Sequence, residues 1–198
     1  MFAATPSVLR CSRCGRFVDW AEARLQVICG CRSHVDLPPV LTRDAVDAER
    51  HIALDLFRRD FGRTDVAAFG EVVSLETVPG LIVAEMEGDL SGALAWRRRG
   101  EALHVVALAT DPMWQRSGVG GHLLAEAEMV ARREKLSRVI IATTNDNLPA
   151  LYFYQRKGYR ITEVVTGAGA RHAAAPAGTG FAEIPVMDEL RLEKVLPT

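Results

Sequence analysis

The fold is decided by the stretch Val105-Val106-Ala107-Leu108-Ala109-Thr110, which leads through Asp111-Pro112-Met113-Trp114 into Gln115-Arg116-Ser117-Gly118-Val119-Gly120-Gly121. The first segment is apolar and rich in β-branched residues, so it predicts a strand. The glycines leave the backbone bare where a helix is predicted to begin, and several unpaired N–H groups can converge on an anion there. This turn therefore predicts a seat for a diphosphate. A second strand, residues 138–143, is predicted after the helix. The apolar residues of that helix are predicted to lie on one face, and they are Val119, Leu123, Ala127, Val130 and Ala131.

Two common phosphate-binding motifs do not fit this turn. Its glycines do not follow G-x-G-x-x-G, and no Gly-Lys-Ser/Thr follows as in the Walker pattern. The turn resembles motif A of the GNAT superfamily, the acyl-CoA-dependent N-acetyltransferases, whose signature is Gln/Arg-x-x-Gly-x-Gly/Ala. Gln115, Gly118 and Gly120 occupy its fixed positions, and residues 147–159 resemble the family's motif B. Two motifs in the family's order are more specific than either one alone.

The resemblance implies a fold and a cofactor. The fold is the GNAT fold, of the α/β (α+β) class, with a mixed, mostly antiparallel central sheet flanked by helices. Its two parallel central strands, here residues 105–110 and 139–143, splay apart to admit the pantetheine arm of acetyl-CoA. The expected contacts to coenzyme A are Leu108, Ala109, Thr110, Gln115, Arg116, Ser117, Gly118, Val119, Gly120, Gly121, Asn147 and Tyr154.

The resemblance also implies catalytic residues. Tyr154 stands four residues before the motif B glycine, where the family places the tyrosine that protonates the leaving thiolate. The phenol pKa near 10 suits that role. The family often has a glutamate fourteen residues before the first motif glycine, and this chain has His104 there. A histidine can accept a proton near neutral pH, and Glu101 or water are alternative bases.

All four cysteines lie near the N-terminus, as Cys11-x-x-Cys14 and Cys29-x-Cys31. Two short cysteine pairs can complete a tetrahedral zinc shell, as in zinc ribbons, and a closed four-cysteine shell favours a structural metal. His34 could replace Cys29 or Cys31, and a redox pair or buried thiols are the other interpretations. Residues 1–38 are therefore predicted to be a zinc-ribbon-like module, and residues 39–198 the GNAT N-acetyltransferase domain.

The rest of the chain predicts elements around the central stretch. An amphipathic helix is expected over residues 42–61, capped by Thr42 or Asp44 and ended by Gly62. The period then drops to two, which predicts an antiparallel meander of strands over residues 72–75, 81–87, 90–97 and 103–110. Asn147 is predicted to cap the motif B helix. A strand over 159–165, a loop over 166–180 and a strand over 189–196 complete the prediction.

Length and charge limit the remaining possibilities. A chain of 198 residues suits one main domain with a small appendage, and a net charge of −1 gives no global attraction to nucleic acid or anionic lipid. No long apolar run suggests a membrane span, so a soluble, cytoplasmic protein is expected.

Three functions follow from the whole sequence. The first is an N-acetyltransferase that acts by direct transfer on an unidentified small-molecule or protein amine. The second is a non-catalytic acyl-CoA-binding regulatory module whose ribbon contacts nucleic acid or protein. The third is a zinc-ribbon nucleic-acid binder with the larger domain as scaffold. A homodimer is left open, no membrane partner is expected, and the ribbon is the one route to nucleic acid.

Overall fold

A computed structural model describes residues 8–10, 17–19, 39–115, 117–168 and 180–197 of the chain. Strands provide most of its regular structure. In chain order they are β1 (Val8–Arg10), β2 (Phe17–Asp19), β3 (Leu41–Asp44), β4 (Asp65–Ala68), β5 (Glu71–Ser74), β6 (Gly80–Met86), β7 (Asp89–Arg99), β8 (Ala102–Thr110), β9 (Arg138–Thr144), β10 (Arg160–Val165) and β11 (Glu189–Val195).

Seven of these strands form one sheet in the order β10-β11-β9-β8-β7-β6-β3. Every neighbouring pair is antiparallel except β8 and β9, which run parallel at the centre. The predicted mixed, mostly antiparallel sheet is therefore confirmed. The pairs β1–β2 and β4–β5 are separate antiparallel hairpins.

Among the described residues, three α-helices cover the sheet, and two hydrophobic clusters lie on its opposite faces. They are α1 (Arg50–Phe61), α2 (Val119–Arg133) and α3 (Leu148–Arg156). Helices α2 and α3 pack with the side chains of Leu103 and Val105 on one face. Helix α1 and the β4–β5 hairpin pack with Val106, Ala107 and Ala109 on the other face. The central strand β8 is thus buried between two layers, as its apolar sequence predicts.

The start of the first helix differs from the prediction. Thr42 and Asp44 lie in the edge strand β3, which pairs with β6, so neither residue caps the helix. A 3₁₀ turn, Asp47–Glu49, precedes α1, and Glu49 accepts hydrogen bonds from Arg43 and from the Val46 N–H. Ala45 and Ala48, in the connection after β3, continue the helical spacing of the apolar residues, which is why the prediction extends too far. Gly62 ends α1 in the left-handed conformation, as predicted.

The first strand of the predicted meander also lies elsewhere. Strand β5 pairs with β4 in a hairpin that turns at Phe69 and Gly70, both with positive φ. Only β6, β7 and β8 form the meander within the main sheet. The hairpin lies over the α1 side of the sheet, where its Phe69 N–H donates to the buried Glu189 carboxylate of β11 at 3.0 Å.

The elements after the glycine turn agree with the sequence. The apolar residues predicted to form one face of α2 are buried, among them Val119, Leu123 and Ala127. Strand β9 is buried on alternate residues, so its apolar run is covered more completely on the α2 side. In the described part of the chain, no helix combines the length and apolarity that crossing a membrane requires.

Candidate active site

The two parallel central strands, β8 and β9, separate from each other halfway along their length. Strand β8 pairs with β9 from Ala102↔Arg138 only as far as Val105↔Ile141, although β8 continues to Thr110 and β9 to Thr144. The β7–β8 register shifts at the same level, which places a bulge at Val106. A bulge bends its strand and increases its twist. The backbone edges beyond this point are unpaired with each other, which is the splay that the family resemblance implies.

The glycine turn lies at the open end of this gap. Asp111 accepts a hydrogen bond from the Met113 N–H at 2.9 Å, and Trp114 is buried as an anchor of the turn. Gly118 is the residue before α2 and has φ +100°, a conformation that favours glycine. One N–H group in the first turn of α2 is paired within that turn, because the Gly121 N–H donates to the Gly118 carbonyl. The N–H groups of Gly118, Val119 and Gly120 donate to none of the described residues, so they are the donors available to an anion.

Three elements meet closely at Gly120. A Cβ built there would lie 3.2 Å from Phe153 Cζ on α3 and 3.6 Å from Leu108 Cδ2 on β8. A larger residue would therefore push α2 away from the gap between the strands. The glycine at this position serves packing as well as access to the backbone.

Lys157 is a functional candidate that the sequence analysis did not identify. A Cβ on Gly121 would lie 2.6 Å from Lys157 Nζ, so the ammonium group lies directly over the start of α2. The positive end of a helix dipole repels a cation. No carboxylate among the described residues pairs with this ammonium, so the lysine adds positive charge to the available N–H groups. Its position just before the turn glycine Gly158 gave no sequence signal, because only the fold brings it to α2.

Tyr154 projects from α3 into the cluster beside the gap. Its ring contacts those of Phe153 and Tyr159, with centroids 5.4 and 6.3 Å away. Burial, followed by the negative charge of Asp60 on α1, raises the pKa of Tyr154 to about 12. Its hydroxyl makes no hydrogen bond to a described residue. The phenol is therefore protonated over the whole physiological range and has a free donor.

Asp60 is a second residue that sequence reasoning missed. It lies in the last turn of α1, on the opposite side of the sheet from α3, and burial raises the pKa of its carboxyl. Its charge nevertheless acts on Tyr154. Tyr154 and Asp60, which belong to opposite layers, are thus close enough to interact electrostatically. No periodicity in the sequence marks this relation, because the two residues lie on different elements.

His104 lies on β8 before the bulge, on the α1 side of the sheet. Its ring packs against that of Phe69, with the two ring centroids 4.2 Å apart. Its Nδ1 atom is buried and has no hydrogen-bond partner among the described residues. Burial, then the positive charges of Arg97, Arg99 and Arg191, hold the pKa of His104 at about 4, below its ordinary value. The imidazole is neutral at pH 7 and can accept a hydrogen bond. It is a weak base, because its protonated form is disfavoured there.

The other predicted site residues are divided between the gap and its surroundings. Leu108, Ala109 and Thr110 form the free edge of β8 beyond the bulge, and Gln115 and Ser117 flank the turn. Asn147 caps α3 as predicted, since its Oδ1 accepts from the Ala150 N–H at 3.2 Å.

The remaining predicted site residues either lie away from this gap or are not among the residues that the structure describes. Glu101 is exposed at the far end of β8, where its carbonyl binds Ser137, so it does not lie beside the predicted diphosphate seat. Arg116, Cys11, Cys14, Cys29, Cys31 and His34 lie outside the described residues. Within residues 39–115, 117–168 and 180–197, no three His, Cys, Asp or Glu side chains are grouped to hold a metal.

Comparison with known proteins agrees with this geometry. The chain is 27% identical over 150 residues to the uncharacterized protein YdhI of Bacillus subtilis, an alignment that covers 74% of this chain and 92% of YdhI. Its structure resembles an IAA acetyltransferase from Bacillus cereus, with a TM-score of 0.61 at 20% identity, over 80% of this chain and all of that one.

A GNAT family acetyltransferase from Elizabethkingia anophelis, solved with acetyl-CoA bound, gives a TM-score of 0.61 at 18% identity, over 79% of this chain and 98% of that one. The family model described as "Acetyltransferase (GNAT) family" matches residues 45–159, which include the glycine turn, the parted strands and Tyr154. The chain therefore belongs to the GNAT family of acetyltransferases.

Proposed function

We propose that the protein transfers an acetyl group from acetyl-CoA to a primary amine, with both substrates bound at once. The observation that carries this proposal is the gap where β8 and β9 stop pairing, with the glycine turn at its end and Tyr154 beside it. A structural relative with acetyl-CoA bound supports the choice of donor. The acceptor is left unidentified by these features.

The coenzyme would be held mainly by backbone. The free N–H groups from Gly118 to Gly120 would bind the diphosphate, and the α2 dipole and Lys157 would add positive charge. The pantetheine arm would pair with the free edge at Leu108, Ala109 and Thr110 as an added strand. Main-chain pairing needs no particular side chain, which fits the plain apolar sequence there.

The chemical step is a direct acyl transfer. The neutral amine nitrogen attacks the thioester carbonyl, the C–N bond forms and the C–S bond breaks. A backbone N–H near Leu108 would stabilise the carbonyl oxygen as it gains negative charge. Tyr154 would donate its proton to the departing sulfur, and the amine must lose its own proton to a base or to water. Residues 39–198 contain no cysteine that could form an acyl-enzyme.

His104 is the predicted base, and its low pKa limits how it would take part in proton transfer. A pKa of about 4 lies roughly three units below neutral pH, so storing a proton on the ring costs about 4 kcal/mol at pH 7. The imidazole would therefore orient a water that carries the amine proton onward, since His104 lies four residues before Leu108 on β8. Asp60, whose charge acts on Tyr154, is a second candidate for binding the ammonium form of the acceptor.

The test is thiol release from acetyl-CoA with a panel of primary amines. Steady turnover with intersecting double-reciprocal lines is expected, because both substrates bind before either product leaves. Tight coenzyme binding without turnover for any amine would instead support the regulatory acyl-CoA-binding module. No binding of coenzyme at all would overturn the proposal.

The zinc-ribbon-like module stays a separate prediction. The four cysteines are expected to hold one zinc per chain in protein that was never exposed to chelator, and replacing Cys11 and Cys14 together by Ser should remove it. Less than about half an equivalent in the unmodified protein would exclude the site. This measurement is independent of acetyl transfer.

A further inference from the structure

A cavity of about 340 Å³ lies on the α1 side of the sheet, away from the glycine turn. It opens over the first residues of β8 and β9, where the two strands still pair, and the β4–β5 hairpin borders it through Phe69. At about 30 Å³ per water, its volume matches roughly ten heavy atoms. Its lining residues include Arg99, His104, Arg138, Glu163, Arg191 and Glu193.

The arginines of this cavity differ in how fully their donors are used. Arg191 is engaged, since it donates to Glu163 at 2.8 Å and to Glu189 at 2.7 Å. Arg138 makes no hydrogen bond to any described residue, and the one ion pair that it forms with them, to Glu193, is long at 3.7 Å. The Arg138 guanidinium is therefore a group of donors at the cavity that no described residue satisfies.

The charges that face this cavity favour an anion at Arg138 and His104. Arg191 is paired with Glu163 and Glu189, and Arg99 is paired with Glu71, so Arg138 carries the least neutralised charge of the three lining arginines. The arginines act on His104 more strongly than Glu71 does, so the field inside this patch is positive. The buried Nδ1 of His104 adds a polar atom without a partner among the described residues. Neutral imidazole and free guanidinium are suitable groups to bind a carboxylate or a phosphate.

We propose that this cavity binds an anionic group, a carboxylate or a phosphate, that belongs to the acceptor amine, with Arg138 as its main donor. The proposal rests on the proposed acetyl transfer and names the class of its acceptor. His104 and Leu108 are four residues apart on β8, which is roughly 13 Å along a strand. The acceptor therefore carries its amine and its anionic group at opposite ends of an extended chain of about that length.

The first experiment uses matched acceptors that differ only in the anionic group. Each ω-amino carboxylate or ω-amino phosphate is compared with the alkylamine of equal chain length. The charged member should have the higher kcat/KM, with an optimum at chains that span the distance from cavity to gap. Arg138→Gln should lower kcat/KM about tenfold to a hundredfold for the charged member and leave the plain amine unchanged.

Arg132→Gln is the matched control variant. The Arg132 side chain is 45% exposed and pairs with Glu128 at 3.9 Å, close to the 46% and 3.7 Å of Arg138 with Glu193, but it lies on α2. It should leave both members of each pair unchanged. Equal kcat/KM for charged and plain amines in the unmodified protein, or equal losses in the two variants, would overturn the proposal.

A binding measurement makes the inference independent of turnover. Succinate and inorganic phosphate are titrated into isotopically labelled protein while the His104 imidazole signal, assigned with a His104→Gln variant, is followed by NMR. A saturable shift and a rise in the pKa of His104 are expected, because a nearby anion favours the protonated ring. If neither probe moves the signal, the cavity is not an anion site. If the signal responds but no amine is acetylated, the anion site holds and the proposed reaction fails.

Discussion

Replacing each of the three tyrosines by phenylalanine, one at a time, separates catalysis from packing. Tyr154→Phe removes a hydroxyl that makes no hydrogen bond to a described residue, so no stability should be lost. If that hydroxyl protonates the leaving thiolate, kcat should fall roughly a hundredfold, while the affinity for coenzyme stays the same. Thermal unfolding and steady-state kinetics on the same sample measure both effects.

Tyr159 supplies the opposite case. Its hydroxyl donates to the Glu128 carboxylate at 3.3 Å in a buried site. Tyr159→Phe should therefore cost about 1 to 2 kcal/mol of unfolding free energy. That loss lowers Tm by roughly 2 to 8 °C in a domain of this size. At assay temperatures below the Tm of this variant, kcat should be unchanged.

Tyr152 completes the set as the neutral control, because its side chain is 67% exposed and lies over the guanidinium of Arg156. Tyr152→Phe should change neither Tm nor kcat. The reasoning is refuted if Tyr154→Phe keeps kcat within about threefold of the unmodified enzyme. It is equally refuted if the Tyr159 and Tyr154 variants lose kcat to the same extent, since the hydroxyl of Tyr154 would then have no special role.

Three further outcomes are expected. Gly118→Ala should weaken coenzyme binding, measured by isothermal titration, and should destabilise the protein by about 1 to 2 kcal/mol, measured by melting. Gly88 has a similar positive φ and no atom within 4 Å of the added Cβ, so Gly88→Ala should destabilise the protein but leave coenzyme binding unchanged. Lys157→Gln should raise KM for acetyl-CoA about tenfold but not for acetyl-pantetheine, which lacks the phosphates; equal effects on both donors would contradict the phosphate contact. The folded pKa of His104, about 4, lies below its ordinary 6.5, so stability is lost as pH falls through that window, by roughly 2 to 3 kcal/mol at pH 4.5. His104→Gln should flatten that part of a denaturation-against-pH curve, and the exposed His51→Gln should not.

The sequence predicts the central part of this fold well because its signals there are local. The glycine turn, the apolar face of α2 and the Asn147 cap each depend on residues within a few positions of one another, and all are confirmed. The separation of β8 from β9 beyond Val105 coincides with the bulge at Val106 and was implied only by the family resemblance. The start of α1 was misplaced because Ala45 and Ala48, in the connection between β3 and α1, continue the helical spacing of its apolar residues.

The site residues that were missed have a common physical reason. Lys157, Asp60 and Arg138 come from different elements, and each gains its significance from a neighbour distant in sequence. A charged residue on a predicted surface looks the same whether it is solvated or faces a ligand. His104 illustrates the converse, since the family resemblance singles out its position but its low pKa depends on arginines of β7 and β11.

The short parallel ladder has a mechanical consequence. Four residue pairs are all that join the two halves of the seven-stranded sheet along β8 and β9. A pantetheine arm in the gap would pair with the free edge of β8. Bound coenzyme would therefore connect the two halves of the sheet beyond the four residue pairs that join them. Loading the protein with coenzyme should therefore slow hydrogen exchange at the amides of Leu108 to Thr110 and across the seam into β9, far from any atom that the diphosphate touches.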